Sequence, residues 1–394
     1  MAMNMIWDLE CDEDFMDYVE IDLSDPVDPQ DLLPGLPEEI AMECLLRVSH
    51  TAFPQLQGVC KRWGELVTAQ SFYAERKRVG TTQNCMCIVQ ALPESNHASP
   101  GGKHSYQSAP VFGLSVYDAR NRSWSWLPPI PDFPVGLPVF CRVVGLNDKL
   151  VLIGGWQPTS YEALRNVYMF NFSTQTWKRC ADMPRSRSFF ACGVIGNRVY
   201  VAGGHDDNKN GLASADVYSP EEDRWEAIPD MSEERDECGG VVVENGTKLA
   251  IISGYSTTSQ GQFVGSAEIY DPQVGCWTRV ENMWKEGVSP GPFVMTQQNG
   301  GQLYAIQRDA LVRYCSRTNV WTVVDSLPQD DRVATCATAI CDDLILMTLP
   351  SSGDPMQSLV HRRPLECEGI GKWELVQRDD EFHGIGRAAC AVEV

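Results

Sequence analysis

Six tryptophans, Trp124, Trp177, Trp225, Trp277, Trp321 and Trp373, recur along the chain at intervals of 53, 48, 52, 44 and 52 residues. A period of this size holds one small sheet but no independent core, so successive units have to pack on one another. Seven residues before each of the first five stands a second ring: Tyr117, Phe170, Tyr218, Tyr270 and Tyr314. Turn formers fill the gap, as in Ser219-Pro220-Glu221-Glu222-Asp223 and Asp271-Pro272-Gln273. Each pair therefore reads as a β-hairpin anchored by two large rings. Trp373 departs, with no ring seven residues before it. Two further strand-like runs precede the hairpins: 139–144 and 150–153 lead to Gly154-Gly155, and 189–195 and 198–202 lead to Gly203-Gly204. The unit is four strands.

Four-stranded units of this length, with paired glycines and a spaced Tyr and Trp, resemble kelch repeats. The resemblance implies a mainly β fold, a β-propeller. Glycines after the second strand suit tight backbone geometry and close packing between blades. The doublet becomes Ser253-Gly254 and is gone after Tyr304, so the later units rest on the aromatic spacing. The first unit opens at its second strand, 85–91, followed by 113–117 and 123–127. Its missing strand is available at 386–392, where Gly386-Arg387-Ala388-Ala389-Cys390-Ala391-Val392 looks like Ser186-Arg187-Ser188-Phe189-Phe190-Ala191-Cys192. Six blades over 85–394 are expected, with 386–394 completing the first, because ring closure removes exposed sheet edges. The six tryptophans are assigned to interblade core, each contributing about 1.5–3 kcal/mol by burial.

Before the repeats, Pro37 followed by Glu38 and Glu39 favours a helix start, proline for its fixed φ and the carboxylates for the positive helix end. Ile40, Cys44, Leu45 and Val48 recur at helical spacing; Pro54 breaks the chain before Leu56, Val59, Cys60, Trp63, Leu66 and Val67. Helices this short expect a partner or a neighbouring domain to cover them. The string Leu36-Pro37-Glu38-Glu39-Ile40, then Cys44-Leu45, Val59-Cys60-Lys61-Arg62-Trp63, Leu66-Val67 and Phe72, resembles an F-box. The resemblance implies a small all-α domain over 34–80 that binds the Skp-family adaptor of an SCF (Skp–cullin–F-box) ubiquitin ligase, and through it a cullin. By position, Leu36, Pro37, Ile40, Leu45, Val59, Cys60 and Trp63 would face the adaptor or support that face.

Bulk properties narrow the function. The net charge is −21, and residues 1–31 hold eleven acidic and no basic side chains. Such a block repels itself, so 1–33 is expected to be a solvated, disordered tail. The acidic balance argues against nucleic acid, which needs a basic face. Apolar runs are strand-sized, which argues against membrane spans, and the acidic start does not read as an export signal. Fifteen cysteines without framework spacing suit a reducing cytoplasm or nucleus. Cys85-x-Cys87 lies in a strand-like run and reads as plain strand rather than a zinc or redox pair.

Strand direction places the connections 93–110, 156–165, 205–213, 255–265 and 350–357 on one face with the starts of the first strands. Variable loops on a rigid scaffold are where binding sites concentrate. Near those starts stand Arg187, Arg235, Arg332 and Arg387. They read either as a basic collar for a target's carboxylates or as local partners of acids such as Asp236 or Asp331. His205 and Tyr255 are further target-binding candidates on these loops. The helical unit enters the propeller on the opposite face.

Some kelch propellers are copper oxidases, but the six histidines, His50, His97, His104, His205, His361 and His383, show no close metal spacing. No phosphate loop or nucleophile elbow is present, so neither catalysis nor a cofactor is expected. A non-catalytic kelch scaffold would leave the F-box unexplained. Across most of its length the chain resembles a plant group of F-box/kelch proteins, on Gly136-Leu137-Pro138-Val139-Phe140-Cys141-Arg142, Arg187-Ser188-Phe189-Phe190-Ala191-Cys192, Ala202-Gly203-Gly204-His205-Asp206, Glu234-Arg235-Asp236-Glu237-Cys238 and Gly254-Tyr255-Ser256-Thr257. That resemblance implies a target that is phenylalanine ammonia-lyase, a related phenylpropanoid enzyme, or a type-B response regulator of cytokinin signalling, marked for proteasomal degradation.

Overall fold

The computed structural model describes residues 31–93, 110–296, 301–328, 331–341, 343–350, 357–365 and 371–394, with backbone alone at Asp331 and Arg332. Most of the acidic tail, and most of the connections 93–110 and 350–357, lie outside these residues. The chain divides into two compact units, one ending at Val48 and one running from Ser49 to Val394.

In the first unit, α1 (Glu38–Leu46) begins directly after Pro37, whose carbonyl accepts from the Ala41 N–H at 2.9 Å. Glu38 and Glu39 occupy its first turn, where the helix dipole favours carboxylates. Ala41, Leu45 and Leu46 are buried, the i, i+4 stripe of a one-sided helix.

The second unit opens with three short helices, α2 (Phe53–Val59), α3 (Lys61–Thr68) and α4 (Gln70–Arg78). Pro54 sits in the first turn of α2, so it starts that helix as well as ending what precedes it. Six four-stranded antiparallel sheets follow. The first contains β1 (Asn84–Ala91), β2 (Phe112–Asp118) and β3 (Ser123–Trp126). The second contains β4 (Arg142–Leu146), β5 (Lys149–Ile153), β6 (Val167–Asn171) and β7 (Thr176–Arg179). The third contains β8 (Ala191–Ile195), β9 (Arg198–Ala202), β10 (Ala215–Ser219) and β11 (Arg224–Ile228). The fourth contains β12 (Gly239–Val243), β13 (Lys248–Ile252), β14 (Ala267–Asp271) and β15 (Cys276–Val280). The fifth contains β16 (Phe293–Met295), β17 (Leu303–Gln307), β18 (Ala310–Cys315) and β19 (Val320–Ser326). The sixth contains β20 (Asp331–Ile340), β21 (Asp343–Pro350), β22 (Leu359–Pro364) and β23 (Glu374–Leu375). The last strand, β24 (Gly386–Glu393), pairs with β1 from Asn84 opposite Glu393 to Gln90 opposite Gly386, giving the first sheet the order β24-β1-β2-β3. The protein is a six-bladed β-propeller.

Each interface between neighbouring blades holds one apolar cluster, six in all. At the outer hairpins the ring pairs lie directly opposite in register, Tyr117 with Trp124, Phe170 with Trp177, Tyr218 with Trp225, Tyr270 with Trp277 and Tyr314 with Trp321. Their centroids are 4.9–5.1 Å apart, a favourable cross-strand aromatic pair. The tryptophans are half-buried and pack against these interblade clusters from their edge rather than lying within them. Each indole N–H instead donates to a carbonyl of the preceding blade: Trp124 to Gln377, Trp177 to Pro128, Trp225 to Ala181, Trp277 to Pro229, Trp321 to Met283 and Trp373 to Ser326. Trp373 has no Tyr or Phe opposite it; it lies 6.3 Å from His361 on the neighbouring strand of its hairpin and under the Arg363 guanidinium.

The glycine doublets mark close approach between blades. A Cβ on Gly204, whose φ is +79°, would stand 2.3 Å from the Ser188 carbonyl, and one on Gly203 would stand 2.6 Å from that of Arg235 in the next blade. The Gly204 N–H uses that contact, donating to the Arg235 carbonyl at 2.9 Å.

Candidate functional site

The six innermost strands enclose a channel of about 630 Å³, lined by residues from all six blades. One mouth carries the loops between second and third strands. At the other, a cavity of about 430 Å³ is bounded by Tyr73 and Lys77 of α4 together with Asn84, Asn147, Cys341 and Glu393. Among the described residues, the helices of the second unit therefore border the channel on the turn side, through α4, and not on the loop side.

Their attachment is polar and specific. The His50 N–H and Nδ1 both meet Gln83 Oε1, at 2.8 and 3.0 Å, and Gln83 Nε2 donates to Asp118 at 3.1 Å. Gln83 and Val394 exchange both backbone hydrogen bonds, at 2.6 and 2.8 Å. Arg76, fully buried, donates to the Thr81 carbonyl at 3.1 Å and lies over the Phe53 ring. Burial pulls its guanidinium down to about 10. Lys77 pairs with Glu393 at 2.7 Å, and Gln57 donates to the Ser173 carbonyl.

The positions assigned to adaptor contact fall into two groups. Leu36, Pro37 and Ile40 are exposed in the first unit, Ile40 by 50%. Val59, exposed by 59%, and Cys60 are exposed in the second. Exposed aliphatic side chains on short helices are what a binding surface presents before its partner covers it. Leu45 is buried and supports the helix from within, and Trp63 is half-buried.

On the loop side two of the four arginines assigned to the basic collar are turned into their own blades. Arg187 and Arg235 are both 0% exposed. Arg187 donates to the Gly203 and Ser214 carbonyls at 3.0 and 2.9 Å and to Asp216 at 2.5 Å. Arg235 donates to the Ser253 and Ser266 carbonyls at 2.9 and 3.0 Å and pairs with Glu233 at 2.7 Å and Glu268 at 3.2 Å. A guanidinium this far from water has to be paired, and each arginine ties its inner strand to the second and third strands of the same blade. Local pairing is correct for both: Arg187 pairs with Asp216 on the third strand, and Arg235 pairs with Glu268 on the third strand and with Glu233 two residues before it, rather than with Asp236. Burial lowers the Arg187 pKa, opposed by Asp216. The Arg332 side chain lies outside the described residues. Arg387 alone of the four is seen exposed, on the channel wall with half-buried Arg142.

His205 is not exposed: it is 6% accessible, and its Nδ1 lies 2.9 Å from both carboxylate oxygens of Asp236. Tyr255 is half-buried, its hydroxyl pushed up by burial and then by the Asp236 and Glu237 carboxylates. Around them lies a group of rings that the sequence pattern did not disclose. Trp156 is 5.3 Å from Phe140, 5.6 Å from Phe189, 5.9 Å from His205 and 6.4 Å from Tyr161. Phe140 and Phe189 stand 4.4 Å apart. The signal was present in the alignment of blades: Trp156, His205 and Tyr255 each follow the glycine pair or its remnant. Each forms a backbone bridge to the residue that precedes a left-handed one: Val139 before Phe140 (φ 59°), Ser188 before Phe189 (φ 54°) and Asp236 before Glu237 (φ 48°). Bulky residues rarely accept that conformation, and it recurs at functional surfaces.

Burial holds the channel-wall thiols Cys192 and Cys336 protonated, pushing them up to about 11 and about 12, and does the same to Cys141 in the core between the first two blades, up to about 12. Cys85 and Cys87 are buried strand residues raised for the same reason. Among the described residues no group of three or more His, Cys, Asp or Glu side chains is placed to hold a metal ion. No helix among them is long and apolar enough to cross a membrane.

Comparison with known proteins agrees with this architecture. The F-box domain family matches residues 33–75, and the KLHDC2/KLHL20/DRC7 Kelch-repeats domain family matches residues 94–306, more than half of the chain. Among Arabidopsis thaliana proteins, the chain is 41% identical to F-box/kelch-repeat protein At2g44130 over 275 residues, 65% of this chain and 66% of the relative. It is 38% identical to F-box/kelch-repeat protein SKIP20 over 285 residues, 64% of this chain and 67% of that relative. With F-box/kelch-repeat protein At1g15670 the identity is 34% over 368 residues, 92% of this chain and the full length of the relative. The alignments thus span about two thirds of the first two relatives and all of the third. On an F-box at its start, kelch repeats through its propeller and these matches, the chain belongs to the F-box/kelch-repeat proteins.

Proposed function

We propose that the protein is the substrate-recognition subunit of an SCF-type ubiquitin ligase. An F-box joined to kelch repeats supports that role in general: the F-box for a Skp-family adaptor, the propeller for a target. The observation that carries the reading is the division of labour between faces. Helices α2–α4 are fixed to the turn side through Gln83, Arg76 and Lys77, and among the described residues no helix of this unit borders the channel on the loop side. A target held there has a defined distance to α2–α4, and the mechanism is proximity: target lysines are kept near a ubiquitin-loaded enzyme, and the receptor does no chemistry of its own.

The finer proposal concerns the target: phenylalanine ammonia-lyase or a related phenylpropanoid enzyme in preference to a type-B response regulator, marked for the proteasome. The resemblance of the loop-side segments to the plant group supports both target classes alike, and the preference for the phenylpropanoid enzymes is this proposal's own. Cytosolic or nuclear action belongs to the same proposal, and a fluorescent fusion checks it.

The test recovers bound proteins with the chain intact and with Leu36→Ala and Ile40→Ala combined. Adaptor and cullin are lost from the variant, while targets are retained. Adaptor recovery unchanged by the double substitution overturns the reading. So does a retained set in which no protein accumulates when the receptor is removed from the cell.

A further inference from the structure

We propose that Cys87 and Cys390 form an oxidation site: a peroxide that reaches the channel joins them as a disulfide, which fastens the last strand of the ring to the first. The pair stands on the closing ladder, where Cys87 of β1 lies directly opposite Cys390 of β24. Among the described ladders it is the one position at which two cysteines face each other. Four positions along the same register, Gln83 and Val394 exchange both backbone hydrogen bonds. Hydrogen-bonded pairs alternate with unbonded ones, so the cysteines also occupy a hydrogen-bonded pair, with Cα atoms about 5.5 Å apart. That lies within the span of about 4.4–6.8 Å that a disulfide bridges. The irregularity in this ladder falls past the cysteines, between Val89 and Gln90. Residues directly opposite share one face of the sheet, and both side chains belong to the apolar cluster between the first two blades.

The two thiols differ in access, which sets the order of events. Cys390 is 9% exposed and borders the channel, so a peroxide meets it first. Cys87 is 0% exposed, and burial, then the Cys390 thiol beside it, raises its pKa well above the usual value. A thiol in that setting is a poor nucleophile toward a dissolved oxidant. The Cys390 sulfur attacks one peroxide oxygen, the O–O bond breaks, and the thiol proton leaves with the departing oxygen as water, giving a sulfenic acid. The Cys87 sulfur then attacks the Cys390 sulfur; the S–O bond breaks, and the hydroxyl leaves with the Cys87 proton as a second water. The two thiols together lose two electrons, and the peroxide gains them. The ladder holds Cys87 against its partner, so the second step needs no diffusion. Strand β24 also receives α4, since Glu393 pairs with Lys77, and it bonds through Val394 to Gln83. A bridge at Cys390 therefore holds ring closure and that attachment together. In sequence it spans nearly the whole propeller, the case in which a cross-link constrains the unfolded chain most.

The test treats the purified full chain with hydrogen peroxide, blocks the remaining thiols under denaturing conditions and maps the digest by mass spectrometry. A peptide pair joined through Cys87 and Cys390 is expected. The oxidised protein should melt at least about 5 °C higher and return to its first value with dithiothreitol. Cys390→Ala shows neither change. Cys87→Ser yields no joined pair, and its Cys390 goes on to the sulfinic acid instead. Cys192→Ser, which alters another channel thiol, bridges and shifts as the unaltered protein does. If Cys87→Ser does not fold, Cys390→Ala decides, because that side chain lies at the channel wall. Absence of the joined pair once the exposed Cys315 is fully oxidised overturns the inference. So does a pair joining Cys390 to Cys192, or a Cys87–Cys390 bridge that leaves the melt where it was.

Discussion

The indole N–H of Trp124 in the first blade donates to the carbonyl of Gln377 in the sixth, at 3.1 Å, across the seam where the two ends of the propeller meet. Five equivalent bonds join the other blades. The ring is thus closed twice, by the β24–β1 ladder on the inside and by an indole clasp on the outside.

Substituting Trp124→Phe keeps a ring to pack on Tyr117 and deletes the donor. The expected loss is about 1 kcal/mol, the net worth of one hydrogen bond, read as a lower urea midpoint. Trp225→Phe, remote from the seam, should cost a similar amount. A Trp124→Phe protein as stable as its parent would mean that the clasp contributes nothing at closure.

Arg187 and Arg235 make the opposite case, charges whose removal is structural. Taking Arg187 to Ala strands the Asp216 carboxylate in a buried site, with an expected loss of about 3–5 kcal/mol; Arg235→Ala strands Glu268 and behaves alike. Arg387→Ala, at an exposed position, should fall within about 0.5 kcal/mol of the parent. Urea unfolding of the three variants checks the ordering, and a mild Arg187→Ala would contradict the buried pair.

These arginines also mark where the sequence stopped being readable. Blade number followed from Trp124 to Trp373 because a ring at a fixed register is a local signal, repeated six times. Closure by 386–392 was legible because a strand must resemble its equivalents. Whether Arg187 faced the channel or its own blade depended on Asp216, 29 residues away on a third strand, and nothing local records that pairing. The ring cluster stayed hidden for a related reason: Phe140, Trp156, Phe189 and His205 come from two blades, and only the left-handed backbone at Phe140 and Phe189 brings them together. In the F-box, helical spacing located α1 but left Leu45 undecided between surface and interior, because a stripe of apolar residues does not say which members a partner will cover.

Stability should weaken on acidification before the carboxylates titrate. Burial lowers the pKa of His50, outweighing the Gln83 hydrogen bond and the Asp118 charge, and burial with Arg378 lowers that of His383. With folded values below the unfolded 6.5, both rings contribute fully above pH 6.5. The unfolded chain takes up protons first as pH falls, and that stability is lost down through the folded values. Thermal melts between pH 7.5 and 5 should show a falling Tm, with a shallower slope in His50→Gln. An unchanged slope would remove His50 from the explanation.

Thiol labelling should separate surface from interior. Hydrogen bonds from Thr318, chiefly its side chain, hold the exposed Cys315 thiol below its usual range, so it should be the first alkylated by iodoacetamide near neutral pH. Cys141, Cys192 and Cys336 should label last, and only after denaturant is added. Mass spectrometry of a labelling time course gives the order. Early modification of Cys336 would show that the channel wall opens in the native state.

Val59 offers the cleanest separation of binding from folding in the second unit. Its side chain is 59% exposed at the end of α2, so Val59→Asp removes little buried area and should change the melting temperature by no more than about 2 °C. If that position meets the adaptor, the same carboxylate is buried unpaired in the complex, where the cost is several kcal/mol and recovery of the adaptor should fall by about a hundredfold or more. Cys60→Ser, beside it and also exposed, changes size and charge little and should bind nearly as the parent does. Adaptor affinity measured by titration on the purified full chain decides it. A Val59→Asp protein that melts normally and still binds tightly would move the adaptor surface away from the α2–α3 corner and onto the exposed Leu36 and Ile40 of the first unit.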